Sequence, residues 1–191
     1  MPSKGDNTRN LILEKAAELF IQKGYSAVTM KDVCEATSLS RGGLYRHFKS
    51  TGEMMACLLL DEQQTADEEF SAALAEGKSA LQLLDAYIQK HDRFLLSPGS
   101  ALEVAANQYA LLDEVGRKIN TSRVWSTVKR LTSIIRLGQG EGVFIDGNPE
   151  NIAWHIVFFI CGIRAQTVLV EPGADFIHTQ TDYIRRFLLK G

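Results

Sequence analysis

The chain has 191 residues, 45% of them hydrophobic, with only four prolines and a formal net charge of −2 at pH 7. That length and apolar content suffice for a buried core and exclude a disordered or fibrous chain, while the scarcity of proline favours helices over an all-β design. The charge is uneven: residues 1–53 carry eight Lys/Arg against six Asp/Glu and the remainder thirteen against seventeen, which points to an anionic partner for the N-terminal part.

In chain order, apolar residues at helical spacing (Ile12, Ala16, Leu19; Leu13, Ala17, Phe20) predict a first helix over Thr8 to Lys23, stopped by Gly24. Thr29 and Asp32 have the spacing of a capping box and open a second helix to about Thr37, with Val33 and Ala36 inward. A tight turn at Ser38 and Leu39 follows. Ser40 caps a third helix, Arg41 to about Phe48, and Ser50 to Glu53 repeats the capping signal for a long fourth helix to about Glu76. Two short helices three residues apart, after a longer one, make a helix-turn-helix.

Five further helical blocks are predicted at about Ala80 to Leu96, Ala101 to Leu112, Glu114 to Gln139, Pro149 to Val170 and Ala174 to Lys190. They are separated by Ser97-Pro98-Gly99, the glycine-rich Gly138 to Gly147 and Glu171-Pro172-Gly173. No alternating β-branched run is present. The expected fold is all-α with about nine helices. The expected division is a DNA-binding domain over 1–50, joined by the fourth helix at about 51–76 to a regulatory and dimerisation domain over 51–191.

The segment Ser40 to Ser50, SRGGLYRHFKS, carries the most specific signal. Each of its two glycines costs a helix interior about 1 kcal/mol against alanine, so bare backbone there needs a reason. On a helical wheel Leu44 and Phe48 share one side, whereas Arg46 faces the opposite side with Gly42 and Gly43 beside it. A helix anchored by Leu44 and Phe48 lets its other side approach a partner closely. A major groove admits such a helix, and Arg paired with guanine O6 and N7 is the commonest base contact there. Tyr45, His47 and Lys49 lie at the edges, where phosphate oxygens would be.

These residues, Ile12, Leu13, Ala16, Ala17, Leu19, Phe20, Gly24, Thr29, Val33, Ala36, Ser40, Gly42, Leu44, Tyr45, His47, Phe48 and Lys49, make the stretch from about Thr8 to Met55 resemble the DNA-binding domain of the TetR family of bacterial transcriptional regulators. The resemblance implies phosphate contacts from Thr29, Tyr45, His47 and Lys49 and base-facing positions at Arg41, Gly42 and Arg46. Lys31, Ser40 and Gly43 complete the candidate DNA-binding set. The sequence departs from the family at Ser38, where glycine is usual and a positive φ strains serine mildly, at Gly43, and at Gly52, which is expected to loosen the start of the fourth helix.

The resemblance further implies that the C-terminal part pairs with a second copy and holds a small-molecule effector. Ile152 to Val170 is apolar on nearly every face, so the last two helices are expected to form the homodimer interface, through Ile156, Ile163, Tyr183, Ile184, Phe187 and Leu188. Polar groups within that apolar zone are the candidate pocket: Arg164 and His155, with Gln108, Tyr109, Trp125 and Phe159 as lining. For each, a satisfied core group or interface bond is an equal reading.

Cys34, Cys57 and Cys161 lie outside any CxxC or Cys/His spacing, which predicts reduced thiols, no metal and a cytoplasmic protein. Cys57 has no evident basic neighbour and reads first as a small core residue. The N-terminus lacks an apolar signal core, and Arg164 and Gln166 interrupt the most apolar run, so no export and no membrane partner are expected. Absent any nucleophile–base pair, metal cluster or phosphate loop, no enzyme and no cofactor are expected. The functional expectation is a repressor released from an inverted-repeat double-stranded operator by a small molecule. The alternatives are a constitutive DNA-binding regulator and a thiol-based redox sensor.

Overall fold

The computed structural model describes residues 4–97, 99–170 and 172–190. Pro98 and Glu171, each in an expected separator, lie outside the described residues, as do residues 1–3 of the expected DNA-binding domain. The helices are α1 (Lys4–Lys23), α2 (Met30–Thr37), α3 (Arg41–Tyr45), α4 (Thr51–Ala75), α5 (Ala80–Leu95), α6 (Gly99–Leu112), α7 (Glu114–Gly140), α8 (Pro149–Val170) and α9 (Ala174–Leu188), with a 3-10 turn at Tyr25–Ala27. Among the described residues these nine α-helices are accompanied by no strand, only an isolated antiparallel bridge between Phe144 and Leu189. No helix among them is long and apolar enough to cross a membrane.

The first helix begins four residues earlier than the periodicity indicated, because polar residues 4–7 extend it without an apolar stripe. Ala36, expected inward, is exposed, and Val33 is the buried residue of α2. The third helix is shorter than expected, ending at Tyr45 instead of near Phe48. The amides of His47 and Phe48 both converge on the Leu44 carbonyl (2.9 and 3.0 Å), which tightens the last turn instead of extending it.

The chain divides into two compact units, residues 1–62 with 101–121 and residues 63–100 with 122–191. These do not coincide with a boundary near residue 50. The start of α4, α6 and the start of α7 pack in the first unit, and both α4 and α7 begin in the first unit and end in the second. The first core gathers Ile12, Phe20, Val33, Leu44, Phe48 and Met54. The second gathers Leu84, Leu131, Ile135, Phe144, Ile156 and Leu188.

Within the first unit, α6 supports the chain just after α1. Gly24 has φ 75° and ψ 164°, a conformation essentially restricted to glycine. The neighbouring Tyr25 N–H donates to Gln108 Oε1 at 2.9 Å, and a β-carbon on Gly24 would lie 2.9 Å from that same oxygen. Gly52 lies in the first turn of α4. Its bare Cα lets the first turn of the helix lie against the Tyr25 hydroxyl and the Tyr109 ring, which a β-carbon would approach to 3.0 and 3.4 Å.

Gly24→Ala is therefore expected to lower the unfolding free energy by about 2 kcal/mol or more, from backbone strain plus displacement of Gln108. Gly77→Ala supplies the comparison: at φ 72° and with nothing within 4 Å, it should show the strain alone, about 1 to 2 kcal/mol. Urea unfolding of the two variants checks the difference.

Candidate nucleic-acid interface

The local sequence fixes each turn of the helix-turn-helix. Thr29 caps α2 by accepting the Asp32 amide at 3.2 Å, and the Asp32 carboxylate in return accepts the Thr29 amide at 2.8 Å. Ser38 ends α2 in the left-handed conformation at φ 56°, the positive φ expected for it. Ser40 then caps α3 by accepting the Gly43 amide at 3.1 Å. At the far end the Ser50 hydroxyl accepts the Glu53 amide (3.1 Å), and the Glu53 carboxylate reaches back to the Lys49 amide (2.6 Å). The backbone of residues 40–53 is thus held at both ends by its own side chains.

Leu44 and Phe48 are 0% and 1% exposed, seated in the first core, and each burial stabilises the segment by about 1.5–3 kcal/mol. Their burial leaves Ser40, Arg41, Gly42, Tyr45, Arg46 and Lys49 exposed, with His47 and Gly43 half-buried. The two glycines differ. A β-carbon on Gly42 meets nothing within 4 Å, so that position is open surface, whereas one on Gly43 would sit 3.2 Å from the capping Ser40 Oγ.

Thr29 and Lys31, at the start of α2, are also exposed. Lys31 pairs loosely with Glu35 at 3.7 Å, an exposed contact of little strength. The Thr29 hydroxyl donates to Asp32, so that proton is engaged within the cap. Asp32 in turn accepts from Lys23 Nζ at 2.6 Å, and this bond, with those from Thr29, holds its carboxyl well below the usual carboxylate range.

The residues expected to line an effector pocket are divided between the two units. Gln108 and Tyr109 belong to the first unit: Gln108 accepts the Tyr25 amide, and Tyr109 is buried beside Tyr25, its hydroxyl pushed up to about 12 chiefly by burial. Trp125, Phe159, His155 and Arg164 lie in the second unit. Trp125 is exposed with its ring edge-on to Trp154, and Phe159 packs against the second core. His155 is exposed beside Phe187 instead of buried, since it lies on the outer side of α8, away from the stripe that buries Ile156.

Arg164 has the richest surroundings. Its Nη2 donates to His91 Nδ1 at 2.8 Å, its guanidinium lies 4.4 Å from the centre of the Phe94 ring, and Tyr87 stands edge-on to His91. A guanidinium only donates, so His91 Nδ1 accepts and the imidazole is neutral. Burial first, then the Arg164 charge, lowers its pKa. Sequence reasoning passed over Tyr87 and His91, although their spacing of four residues places both on one face of α5.

Of the expected interface residues, Ile156, Ile184 and Leu188 are buried in the chain's own second core, because they sit on the inward stripes of α8 and α9. Ile163 is half-buried, while Tyr183 and Phe187 are exposed along with Phe158 and Phe176. The three cysteines carry no disulfide. Cys57 does have a basic neighbour, supplied from α1 and so invisible in the local sequence: Arg9 Nη2 donates to its Sγ at 2.9 Å and lies over the Phe48 ring.

Comparison with known proteins places this geometry in context. Residues 12–57 match the family model for bacterial regulatory proteins of the tetR family. Over 150 residues the chain is 30% identical to the HTH-type transcriptional regulator YfiR of Bacillus subtilis, covering 75% of this chain and 71% of that protein. It is 35% identical over 60 residues to the HTH-type transcriptional repressor KstR2 of Mycolicibacterium smegmatis, spanning 31% and 29% of the two chains. A Saccharomonospora viridis protein solved in complex with choline shares the fold at a TM-score of 0.82 and 20% identity, over 97% of this chain and 99% of that one.

The Asp32 cap has a measurable signature. Its carboxyl pKa is depressed on folding, so its contribution is full above the ordinary carboxylate value of 3.8 and is lost as the pH falls below it. Thermal melts of the wild type and Asp32→Asn should show a wild-type advantage that is constant near neutrality and narrows below about pH 4.

Proposed function

The chain belongs to the TetR family of bacterial regulatory proteins and is a helix-turn-helix transcriptional regulator, and from that premise we propose that it is a homodimeric repressor that leaves an inverted-repeat operator when a small molecule binds its second unit. The observation that carries the DNA-reading part is the burial of Leu44 and Phe48 with Arg41, Gly42, Tyr45 and Arg46 left exposed on the same short segment. Arg46 is assigned to a guanine edge in the major groove, with Arg41 beside it, and Gly42 supplies the clearance. Tyr45, His47, Lys49 and Lys31 are assigned to phosphates, with Ser40 and Gly43 holding the backbone that presents them. Thr29 is assigned to a phosphate through its neighbouring backbone or by turning its hydroxyl donor from Asp32 to the phosphate oxygen.

Exposed Phe158, Phe176, Tyr183 and Phe187 support pairing of two copies through α8 and α9, since an apolar patch of this kind on a single chain marks an interface. A two-fold dimer sets two recognition segments in successive major grooves about 34–36 Å apart. For the effector, the half-buried Tyr87, His91 and Arg164 are the polar groups of the second unit best suited to orient a ligand, and the choline complex of the S. viridis protein supports a small-molecule role for this fold. A coupling of ~3 kcal/mol would weaken operator binding roughly 150-fold.

Arg46→Ala is expected to cost about 1–3 kcal/mol and to abolish discrimination at one base pair per half-site, whereas Lys49→Ala weakens all sequences alike and flattens the salt dependence. Binding to matched and single-mismatch operators separates the two; equal weakening of both by Arg46→Ala contradicts its role. Gly42→Ala, with open space for its methyl, should raise the stability of the segment by up to about 1 kcal/mol and still reduce operator affinity, read by thermal melting and binding in parallel.

A further inference from the structure

Within the second unit, α5 sorts its polar residues onto two sides. Asp85 and Asp92, its two carboxylates, turn to α9: Arg185 Nε donates to Asp85 at 3.0 Å, and Asp92 accepts from the Thr181 hydroxyl at 2.6 Å and pairs with His178 Nδ1 at 2.9 Å. Tyr87, His91 and Phe94 recur at helical spacing on the opposite side, where Arg164 of α8 meets them. The acids of α5 are thus engaged elsewhere.

What gathers around Arg164 is a set of donors. A guanidinium only donates, and because its Nη2 gives a hydrogen bond to Nδ1 of the neutral His91, the proton of that ring sits on Nε2. Burial holds the Tyr87 hydroxyl well above its usual range, so it too keeps its proton. Among the described residues neither His91 Nε2 nor the Tyr87 hydroxyl has a hydrogen-bond partner, although burial is the leading influence on both side chains. A polar hydrogen withdrawn from bulk water and left unbonded is costly, so both call for an acceptor that the chain does not supply. Tyr87, His91, Phe94 and Arg164 each keep part of their surface open, which gives such an acceptor a way in.

The local field selects the sign of its charge. After burial, the influences on His91 are the charges of Arg164, Lys90 and Arg130, all positive, and on Tyr87 only the Cys161 thiol opposes those of Arg164 and Arg130. Lys90 pairs with Glu69 and Arg130 with Asp67, while Arg164 touches the α5 rings directly, 2.8 Å from His91 Nδ1 and 4.4 Å from the Phe94 ring centre. A cation would enter against this field. A carboxylate, which is negative and only accepts, matches both the field and the donors.

We propose that the recess of Tyr87, His91, Phe94 and Arg164 binds an organic monocarboxylate, its carboxylate on Arg164, His91 Nε2 and the Tyr87 hydroxyl and its apolar body along the Phe94 ring. The proposal deepens the effector reading above and rests on it in taking this recess as the ligand's place. The neutral imidazole suits the part, because it orients the guanidinium and adds a donor without a counter-charge of its own.

The test titrates the full chain with a panel of aliphatic and aryl monocarboxylates of graded length, each beside its primary amide and its amidine, which keep the shape but are neutral and positive. Thermal shift finds the best-fitting carboxylate, and calorimetry measures its affinity. That carboxylate is expected to bind about tenfold or more tighter than its amide, with the amidine not bound. Arg164→Gln is expected to remove most of the difference, and Tyr87→Phe, which deletes one donor with little change in volume, to weaken the carboxylate about threefold or more.

No carboxylate bound, an amide or amidine bound as tightly, or an affinity unchanged by both variants overturns the proposal. If Arg164→Gln fails to fold, Tyr87→Phe decides the matter in the same titration. Operator affinity is measured alongside. A carboxylate that binds in the expected pattern and leaves operator affinity unchanged upholds the ligand class and overturns the effector reading, whereas operator release by an amide or amidine alone upholds that reading and overturns the proposal.

Discussion

The placement of two side chains, Leu44 and Phe48, in the first core is the constraint on which the DNA-reading account depends. A helix of five residues has almost no stability of its own in water, and one containing Gly42 and Gly43 has less. Its geometry is imposed from behind by the apolar core, at its start by the Ser40 cap, and past its end by the amides of His47 and Phe48 closing on the Leu44 carbonyl. Only because the backbone is held in this way can the outward side be given over to Arg41, Gly42, Tyr45 and Arg46, residues that contribute little to folding and much to recognition.

Electrostatics follows the same division of labour. The chain as a whole is slightly acidic, yet the positive residues of the recognition segment are left exposed, while Asp32 of α2 is engaged by Lys23 and Thr29 and Glu53 by the Lys49 amide. A phosphate backbone responds to charge within about a Debye length, so the local surface decides and the net charge does not. In the second unit two guanidiniums turn onto the chain itself, Arg164 onto His91 and Phe94, and Arg130 onto Asp67. Charge directed into a domain serves position and ligand response more than attraction of a distant partner.

What the sequence made legible was local. Helix existence, the Thr29–Asp32 box, the Ser40 cap and the strained Ser38 all depend on residues within a few positions of one another, and all appear in the structure. The length of α3 was not legible, because its periodic pattern continues to Phe48 while the hydrogen bonds tighten after Leu44. Nor were the long-range pairings. Gln108 is polar and sits on an amphipathic helix, so nothing nearby announces that it serves the amide of Tyr25. Arg9 and Cys57 are forty-eight positions apart, and Asp67 and Arg130 sixty-three. The apolar stripe of α8 misled differently: its pattern said that every face must be covered without saying which face this chain covers itself, so Ile156 was assigned to a partner when it belongs to the core.

The central claim is that a single Leu44- and Phe48-anchored segment reads guanine from the major groove, twice per operator. Methylation of guanine N7, which lies in that groove, measures this directly on the protein–DNA complex. The account predicts protected guanines in two half-sites about 34–36 Å apart along the duplex, with one guanine per half-site becoming reactive again in the Arg46→Ala complex. Protection confined to one site, or unaltered by Arg46→Ala, would contradict it.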